Sequence, residues 1–354
     1  MKSMRTFPLA VAFAVTAGLA GPVFAVDVND EPLRDKWAPS AFGADDLMGA
    51  VNRTTPAIVL KAVGLVKRGK VATLGKVYAG DAPAFGSRGC RMTIPGLPTG
   101  GPCGPQQLYY NDEYLATEIG QNGTRFDGPG HIGVKTSKGI FHYNGRYLED
   151  ANVTACGMGP LGVEHVAQKG FVCRGVLLDA VALRSDKLPI PKENNMTDPG
   201  IITAKDVKAM VKNQGIAPIG EGDCVFLHTG HGDIWHPKDW DKFDGAEKGA
   251  RTAAFNAGEP GFGISAGEYM ASQKIILTGA DSWAVEAVGK GFGGETPQPF
   301  ECHIKLQTKR GIWNLENLDL SQLVADKAYE FLFVWSPLKM KGATGSPGNP
   351  VALY

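Results

Sequence analysis

Neither sign of charge dominates this chain, and charged residues of both signs are interspersed: 36 lysines and arginines stand against 36 aspartates and glutamates. Without a basic stripe the sequence offers no electrostatic footprint for nucleic acid, and without a polybasic run none for an anionic lipid surface. The six cysteines show no CxxC spacing, which argues against a thiolate zinc site. There is no internal repeat and no Ser/Gly linker to divide the chain. Beyond residue 25 no segment is apolar enough to span a bilayer, so a soluble protein is expected.

The first 25 residues are set apart. Lys2 and Arg5 open an apolar run that ends Val23-Phe24-Ala25. A basic start, an apolar core and small residues at −3 and −1 make a secretory signal, with cleavage expected after Ala25. The other reading, a membrane anchor, needs about 20 apolar residues; Gly18, Gly21 and Pro22 interrupt this run too early. Export to the periplasm is therefore expected, followed by one catalytic domain over residues 26–354.

With 47 glycines and 23 prolines the sequence implies many turns and long shaped loops, and its 43% hydrophobic content suffices for a sizeable core. An oxidising compartment permits disulfides. Cys90 and Cys103 bracket a Gly/Pro-rich segment and are expected to close it. Cys156 and Cys173 form a second plausible pair, and Cys224, inside an apolar run, reads as a buried free thiol.

Short apolar runs alternate with helical patterns, which indicates an α/β domain. Val71–Leu74, Gly175–Leu178, Cys224–Leu227 and Ile275–Leu277 read as buried strands. Thr54-Thr55-Pro56 starts a helix ending near Gly69, Thr203 to Asp206 starts another, and Ser265 to Glu268 reads as a capping box. The segments 80–104 and 233–263 look like loops over a site.

Gly263-Ile264-Ser265-Ala266-Gly267 matches GxSxG, but Ser265 is explained as a helix cap without a catalytic role. His228-Thr229-Gly230-His231-Gly232-Asp233 ends a buried strand, where an α/β enzyme places ligands; its imidazoles either line a site or serve packing. The strongest pattern is Gln121-Asn122-Gly123-Thr124-Arg125-Phe126-Asp127-Gly128-Pro129-Gly130-His131. In an extended segment, alternate residues share a face, so Gln121, Arg125, Asp127 and His131 are expected to meet. Buried charges are costly unless paired or coordinated. A solvent-facing edge strand is the bland alternative.

At these residues the sequence resembles the putative cyclase family, which includes bacterial kynurenine formamidase and isatin hydrolase and whose signature reads His-x-Gly-Thr-His-x-Asp-x-Pro-x-His. Gly123, Thr124, Asp127, Pro129 and His131 match it, while Gln121 and Arg125 stand at the two earlier histidines. Further similar segments are Asp45–Pro56, Arg174–Asp179, Thr278–Glu286, Glu316–Leu320 and Gly342–Pro347. The resemblance implies a swivelling β/β/α fold and a divalent metal, zinc or manganese, that activates water against an amide, formamide or lactam carbonyl. It implies Asp127, His303 and Glu316 as metal ligands and His131 as acid/base. It also implies homo-oligomers.

Gln121 can offer only its carbonyl oxygen, and Arg125 repels a cation. Three readings follow: a metal on Asp127, His303 and Glu316 with help from Gln121; Arg125 replacing a metal charge and polarising the substrate carbonyl; or a site turned to lyase, isomerase or binding use. The first expectation is a hydrolase of a carbon–nitrogen bond in a small amide or cyclic amide, with Phe126, His231 and Trp283 lining the substrate pocket. The alternative is a metal-free periplasmic binding protein or a lyase/isomerase on the same scaffold.

Overall fold

The computed structural model describes residues 37–136, 138–147, 157–193, 195, 197–235, 238–289, 292–293 and 300–354. The proposed signal segment and Cys156 lie outside the described residues. Nine strands form one curled sheet in a mixed α/β fold: β1 (Val71–Thr73), β2 (Arg125–Asp127), β3 (Phe171–Asp179), β4 (Cys224–His228), β5 (Leu277–Ala280), β6 (Trp313–Glu316), β7 (Glu330–Trp335), β8 (Gly345–Pro347) and β9 (Val351–Leu353). Their order is β1-β9-β7-β3-β4-β5-β6-β2-β8. β3, β4, β5 and β6 are mutually parallel, and antiparallel strands extend the sheet on both sides.

β3 and β4 carry long apolar runs because both of their faces are covered; every residue of β4, β5 and β6 is buried. The core holds Phe126, Phe171, Phe226, Phe331 and Phe333, all with no exposed surface. Phe126 packs its ring 5.0 Å from Trp335 and 5.7 Å from Phe171. Among the described residues no helix is long and apolar enough to cross a membrane.

Helix Pro56–Val63 starts where expected, with Thr55 accepting from Ile58 N–H, but it stops before Gly64, short of Gly69. The Thr203/Asp206 capping box stands as read and opens helix Ala204–Asn213. Ser265, by contrast, is not the cap of its own helix. Gly263 is the cap of helix Ile264–Ser272, and the Ser265 hydroxyl instead accepts from Ala204 N–H. Segment 233–263 is not all loop either: Asp244 caps a helix over Gly245–Asn256.

The Gly/Pro-rich segment also differs from its expectation. Residues 90–117 form a twin hairpin, Cys90–Thr93 pairing with Tyr114–Thr117 and Gly100–Cys103 with Leu108–Tyr110. Cys90 sits at the base, opposite Thr117, and Cys103 near the tip, opposite Leu108. The strand between them runs outward and holds the two thiols apart, so they do not bond. The disulfide joins Cys173 to Cys224 on neighbouring strands β3 and β4, with Cα atoms 6.4 Å apart. That separation suits a bridge. It excludes both the Cys156–Cys173 pairing and a free Cys224.

Candidate functional site

The signature segment is a strand for only three residues, Arg125 to Asp127. β2 is held on both sides: Asp127 pairs with Asn314 of β6 and Gly345 of β8, and Arg125 with Glu316 and Pro347. Directly opposed residues share a face, so Arg125, Asp127 and Glu316 point together while Phe126 points into the core. Phe126 therefore packs the core and does not line the pocket, because the period of two sends it to the opposite face from Asp127.

The rest of the signature converges by turns. Gly123 presses its Cα against the Tyr78 ring, where a Cβ would come within 2.3 Å. Thr124 Oγ1 accepts from Lys76 N–H and donates to Asn317 O at 2.6 Å, and Asn317 Nδ2 returns a bond to Gly123 O. This lock positions Gln121 beside Glu316. After Asp127 the chain turns, with His131 N–H donating to Gly128 O, and the imidazole comes back over the strand.

His303 arrives from a separate segment. Its Nδ1 and backbone N–H both bond to Glu286 Oε1, and Cys302 N–H bonds to Oε2. Its Nε2 then faces Asp127 Oδ2 and Glu316 Oε1, each at 3.7 Å. That is too long for a direct hydrogen bond. The ligand atoms of Asp127, His303 and Glu316 all lie within 4.8 Å of one another, and all three residues are buried.

Two carboxamides flank this trio. Gln121 Nε2 donates to Glu316 Oε2, and Gln307 Nε2 donates to Asp127 Oδ2, each at 3.2 Å. Both leave Oε1 buried without a partner inside the protein, as are Asp127 Oδ1 and Glu316 Oε1 with respect to hydrogen bonds. Gln307 rides on a π-helical turn, Ile304–Thr308, a local widening often found at functional sites. Three non-glycine residues near the site hold positive φ: Val285 (66°), Phe300 (63°) and Asn317 (55°). For a β-branched valine this is a strained conformation that the surroundings must enforce, and such strain gathers at functional sites. Val285 precedes Glu286, and Asn317 follows Glu316.

Arg125 is the exception in this acceptor-rich group. Its Nη2 lies 3.1 Å from Asp127 Oδ1 and donates to His131 Nδ1 at 2.9 Å. A guanidinium has no acceptor, so His131 Nδ1 must be the unprotonated nitrogen and Nε2 carries the hydrogen, 3.6 Å from Asp127 Oδ1. Gly345 permits this packing, since a Cβ there would approach Phe126 O to 2.7 Å and Arg125 Nε to 3.2 Å. His131 is the member nearest solvent, with its side chain 21% exposed.

Burial favours the neutral forms here, and charge decides between them. For Asp127, burial pushes the carboxyl up, but Arg125, His131, His303 and the Gln307 bond outweigh it and hold it below its usual value. Burial and the neighbouring Asp127 charge raise Glu316 to about 7. For His303, burial opposes the charged ring, yet Glu286, Glu316 and Asp127 carry it up to about 10. Burial lowers His131 to about 4, despite Asp127 and with help from Arg125 and His303.

The donor set fits a divalent cation. One imidazole nitrogen and two carboxylates converge, the histidine is oriented by a carboxylate behind it in the manner of metal-bound histidines, and an orphaned amide oxygen stands on either side. Only Arg125 is out of place in such a set.

Trp283 is one ring away from His303. Phe300 lies between them, with centroids 5.5 Å from His303 and 6.4 Å from Trp283, and Phe85 stacks on Trp283 at 4.7 Å. His231 is spent elsewhere, with Nε2 on Phe255 O at 2.9 Å and its ring stacked on Phe255. His228 pairs with Asp179 at 3.0 Å. The HTGHGD segment thus supports strand ends and an aromatic cluster, while Glu286, Gln307 and Phe300 join the site without having been singled out as site residues. Glu286 lies within one of the family-like segments; Gln307 has no comparable signal.

No curated protein sequence matches the chain. The fold is similar to the crystal structure of a novel cyclase, with a TM-score of 0.72 and 25% identity over 88% of this chain and 96% of that one. It also resembles isatin hydrolase A from Labrenzia aggregata, with a TM-score of 0.52 and 19% identity over 82% and 94%. For isatin hydrolase A from Ralstonia solanacearum the TM-score is 0.54, with 21% identity over 84% and 98%. The family described as Putative cyclase matches residues 73–287, more than half of the chain. With β2, the Gly-Thr lock and the Asp127 group all inside or anchored to that span, the chain belongs to the putative cyclase family.

Proposed function

We propose that this protein is an enzyme that hydrolyses a carbon–nitrogen bond in a small amide or cyclic amide, with a divalent metal held by Asp127, His303 and Glu316 and by the free oxygen of Gln121. The observation that carries this reading is His303 Nε2, backed by Glu286 and set midway between two buried carboxylates. The ion supplies Lewis-acid polarisation and an acidified water when bound.

The remaining chemistry belongs to the chain. Arg125 neutralises Asp127 and presents buried Nε and Nη1 groups that have no partner inside the protein; such donors suit a carbonyl oxygen that gains charge during attack. His131 enters with Nδ1 occupied by Arg125, so in the resting geometry it serves as a hydrogen-bond donor through Nε2. It can collect a proton only when Arg125 leaves Nδ1. Phe300 and Phe85, backed by the buried Trp283, offer aromatic surface for a flat ring. The isatin hydrolases of similar fold favour a cyclic amide of that kind, and the sequence favours delivery to the periplasm.

Metal analysis of the purified protein, followed by assay of isatin and N-formylaniline with added zinc or manganese, tests the proposal. Hydrolysis that chelation removes and metal restores is expected, with at least a hundredfold loss in His303→Ala. A metal-free protein inert on both substrates after metal addition would sink it. That outcome would favour the reading in which the Arg125–Asp127 ion pair, at 3.1 Å, has replaced the cation and the scaffold binds without hydrolysing.

A further inference from the structure

One buried carboxyl beside the aromatic wall has no part in the chemistry described so far. Glu259 has no exposed surface, and none of the ion pairs among the described residues includes it. A buried carboxyl without a counter-charge is expensive, so its partners show what it is kept for. Both oxygens are spent on the backbone: Oε2 accepts Trp283 N–H at 2.5 Å and Oε1 accepts Ala284 N–H at 2.8 Å. The Glu259 main chain exchanges two further bonds with Val288, donating to its O at 2.8 Å and accepting its N–H at 2.9 Å. Side chain and main chain of one residue therefore hold both ends of the segment from Trp283 to Val288.

Within that segment the backbone is strained. Glu286 N–H donates to Ala284 O at 2.6 Å across Val285, closing a γ-turn whose central residue has φ 66°. This is the rare, strained form of that turn, and a β-branched residue resists it most. The strip behind it is shaped to fit. Phe262 donates to Val285 O and accepts from Ala287 N–H, each at 3.0 Å. A Cβ on Gly261 would come within 2.5 Å of Val285 O, and one on Gly258 within 2.6 Å of Val288 O. The turn aims Glu286 at the next loop, where its oxygens hold Cys302 N–H and both the N–H and the ring of His303.

We infer, resting on the reading above of His303 as a metal ligand, that Glu259 is a positioning residue for that imidazole. It holds the Val285 turn closed, the turn sets Glu286, and Glu286 orients His303. Glu259 itself touches neither substrate nor ion. The same clamp fixes Trp283, whose indole Nε1 also donates to Phe255 O at 3.0 Å. One carboxyl thus sets the ligand side of the site and its aromatic backing together.

Glu259→Gln keeps the size but turns an N–H donor towards one of the two backbone N–H groups. Hydrogen exchange on the metal-free variant tests the relay without reference to any ion. Amides of Trp283 and Ala284 should exchange faster, and so should those of Cys302 and His303, which Glu259 does not touch. A loss of protection of about tenfold is expected at all four, the equivalent of one hydrogen bond. Faster exchange at Trp283 and Ala284 alone would overturn the inference.

Calorimetry with zinc or manganese gives the second test. Glu259→Gln should weaken binding about tenfold in the wild type and have no further effect in Glu286→Gln, where the relay is already cut. Equal losses in both backgrounds would mean that Glu259 acts by another route, and would reject the relay. A wild type that binds neither ion fails the hydrolase reading, and the exchange result then decides the relay by itself. Should Glu259→Gln misfold, native-state exchange on the wild type decides: all four amides should open together as denaturant is added. Opening of Trp283 and Ala284 while Cys302 and His303 stay protected rejects the relay.

Discussion

Glu286 Oε1 holds His303 at two points, accepting the backbone N–H at 3.0 Å and bonding ring Nδ1. Orientation and basicity of the imidazole both depend on that one oxygen. Glu286→Gln keeps the shape but removes the charge, and metal affinity by calorimetry should fall about 10- to 100-fold, the usual cost of losing such a partner. Affinity equal to wild type would mean that His303 is not a ligand.

The shifted groups give the metal-free protein a definite pH profile. His303 is raised to about 10, so its stabilising contribution is complete below its unfolded value near 6.5 and is lost as pH rises through 10. Glu316, raised to about 7, acts with the same sign between about 4.3 and 7. His131, lowered to about 4, contributes above about 6.5 and loses that contribution as pH falls through 4. Melting temperature after chelation should therefore fall between pH 7 and 10, while apparent metal affinity rises because the ligands must release protons. A melting temperature independent of pH in that range would contradict the His303 assignment.

Arg125 and Gln121 stand where the family signature carries histidines. Restoring both, Arg125→His with Gln121→His, removes a repelling charge 3.1 Å from Asp127 and supplies two imidazoles. Zinc or manganese affinity should rise at least about tenfold, roughly 1.4 kcal/mol. No change in a folded variant would place these side chains outside the coordination sphere. Tight metal in the wild type would show that Gln121 and the three other ligands already overcome the repulsion from Arg125.

Reduction provides a separate check. The Cys173–Cys224 bridge spans 51 positions, which by chain entropy corresponds to at most about 4 kcal/mol. Cys173→Ser with Cys224→Ser should lower the melting temperature, and peptide mapping after alkylation in denaturant without reductant should find Cys90 and Cys103 alkylated as free thiols. A Cys90–Cys103 linkage in the map would reverse the pairing.

Phe126→Ala should cost about 3–5 kcal/mol in denaturant unfolding, as for a phenylalanine lost from a closed core, without altering metal affinity. A lost metal site with unchanged stability would place the ring in the pocket after all.

The centre of the sheet was legible because β3 and β4 are buried on both faces and carry apolar runs; the strand read at Ile275–Leu277 lies instead at Leu277–Ala280, whose Thr278 and Gly279 give no apolar signal. β2 and β8 were not legible, since three residues between glycines and prolines give no period to read. The twin hairpin was hidden for a similar reason: its Gly and Pro content signals loops, and its apolar residues answer to no internal core. At the site, Asp127, His303 and Glu316 were reached through family resemblance, and the structure brings them together. The alternation rule placed Arg125 and Asp127 correctly but overreached at His131, which returns by a turn, and it was not applied to Phe126, which it would have sent to the core. Gln307 had no sequence signal because a glutamine in a helix is ordinarily a surface residue.

The double hold on β2 has a consequence for how the protein is made. Asp127 lies between β6 and β8, which follow it in the chain at Trp313–Glu316 and Gly345–Pro347; Gln121 and Glu316 are 195 positions apart. During synthesis the first half of the site emerges long before its neighbours exist. The ligands are aligned only once β8 has been made, so a chain cut between Glu316 and Gly345 retains its ligating side chains but lacks one of the two walls between which they are aligned.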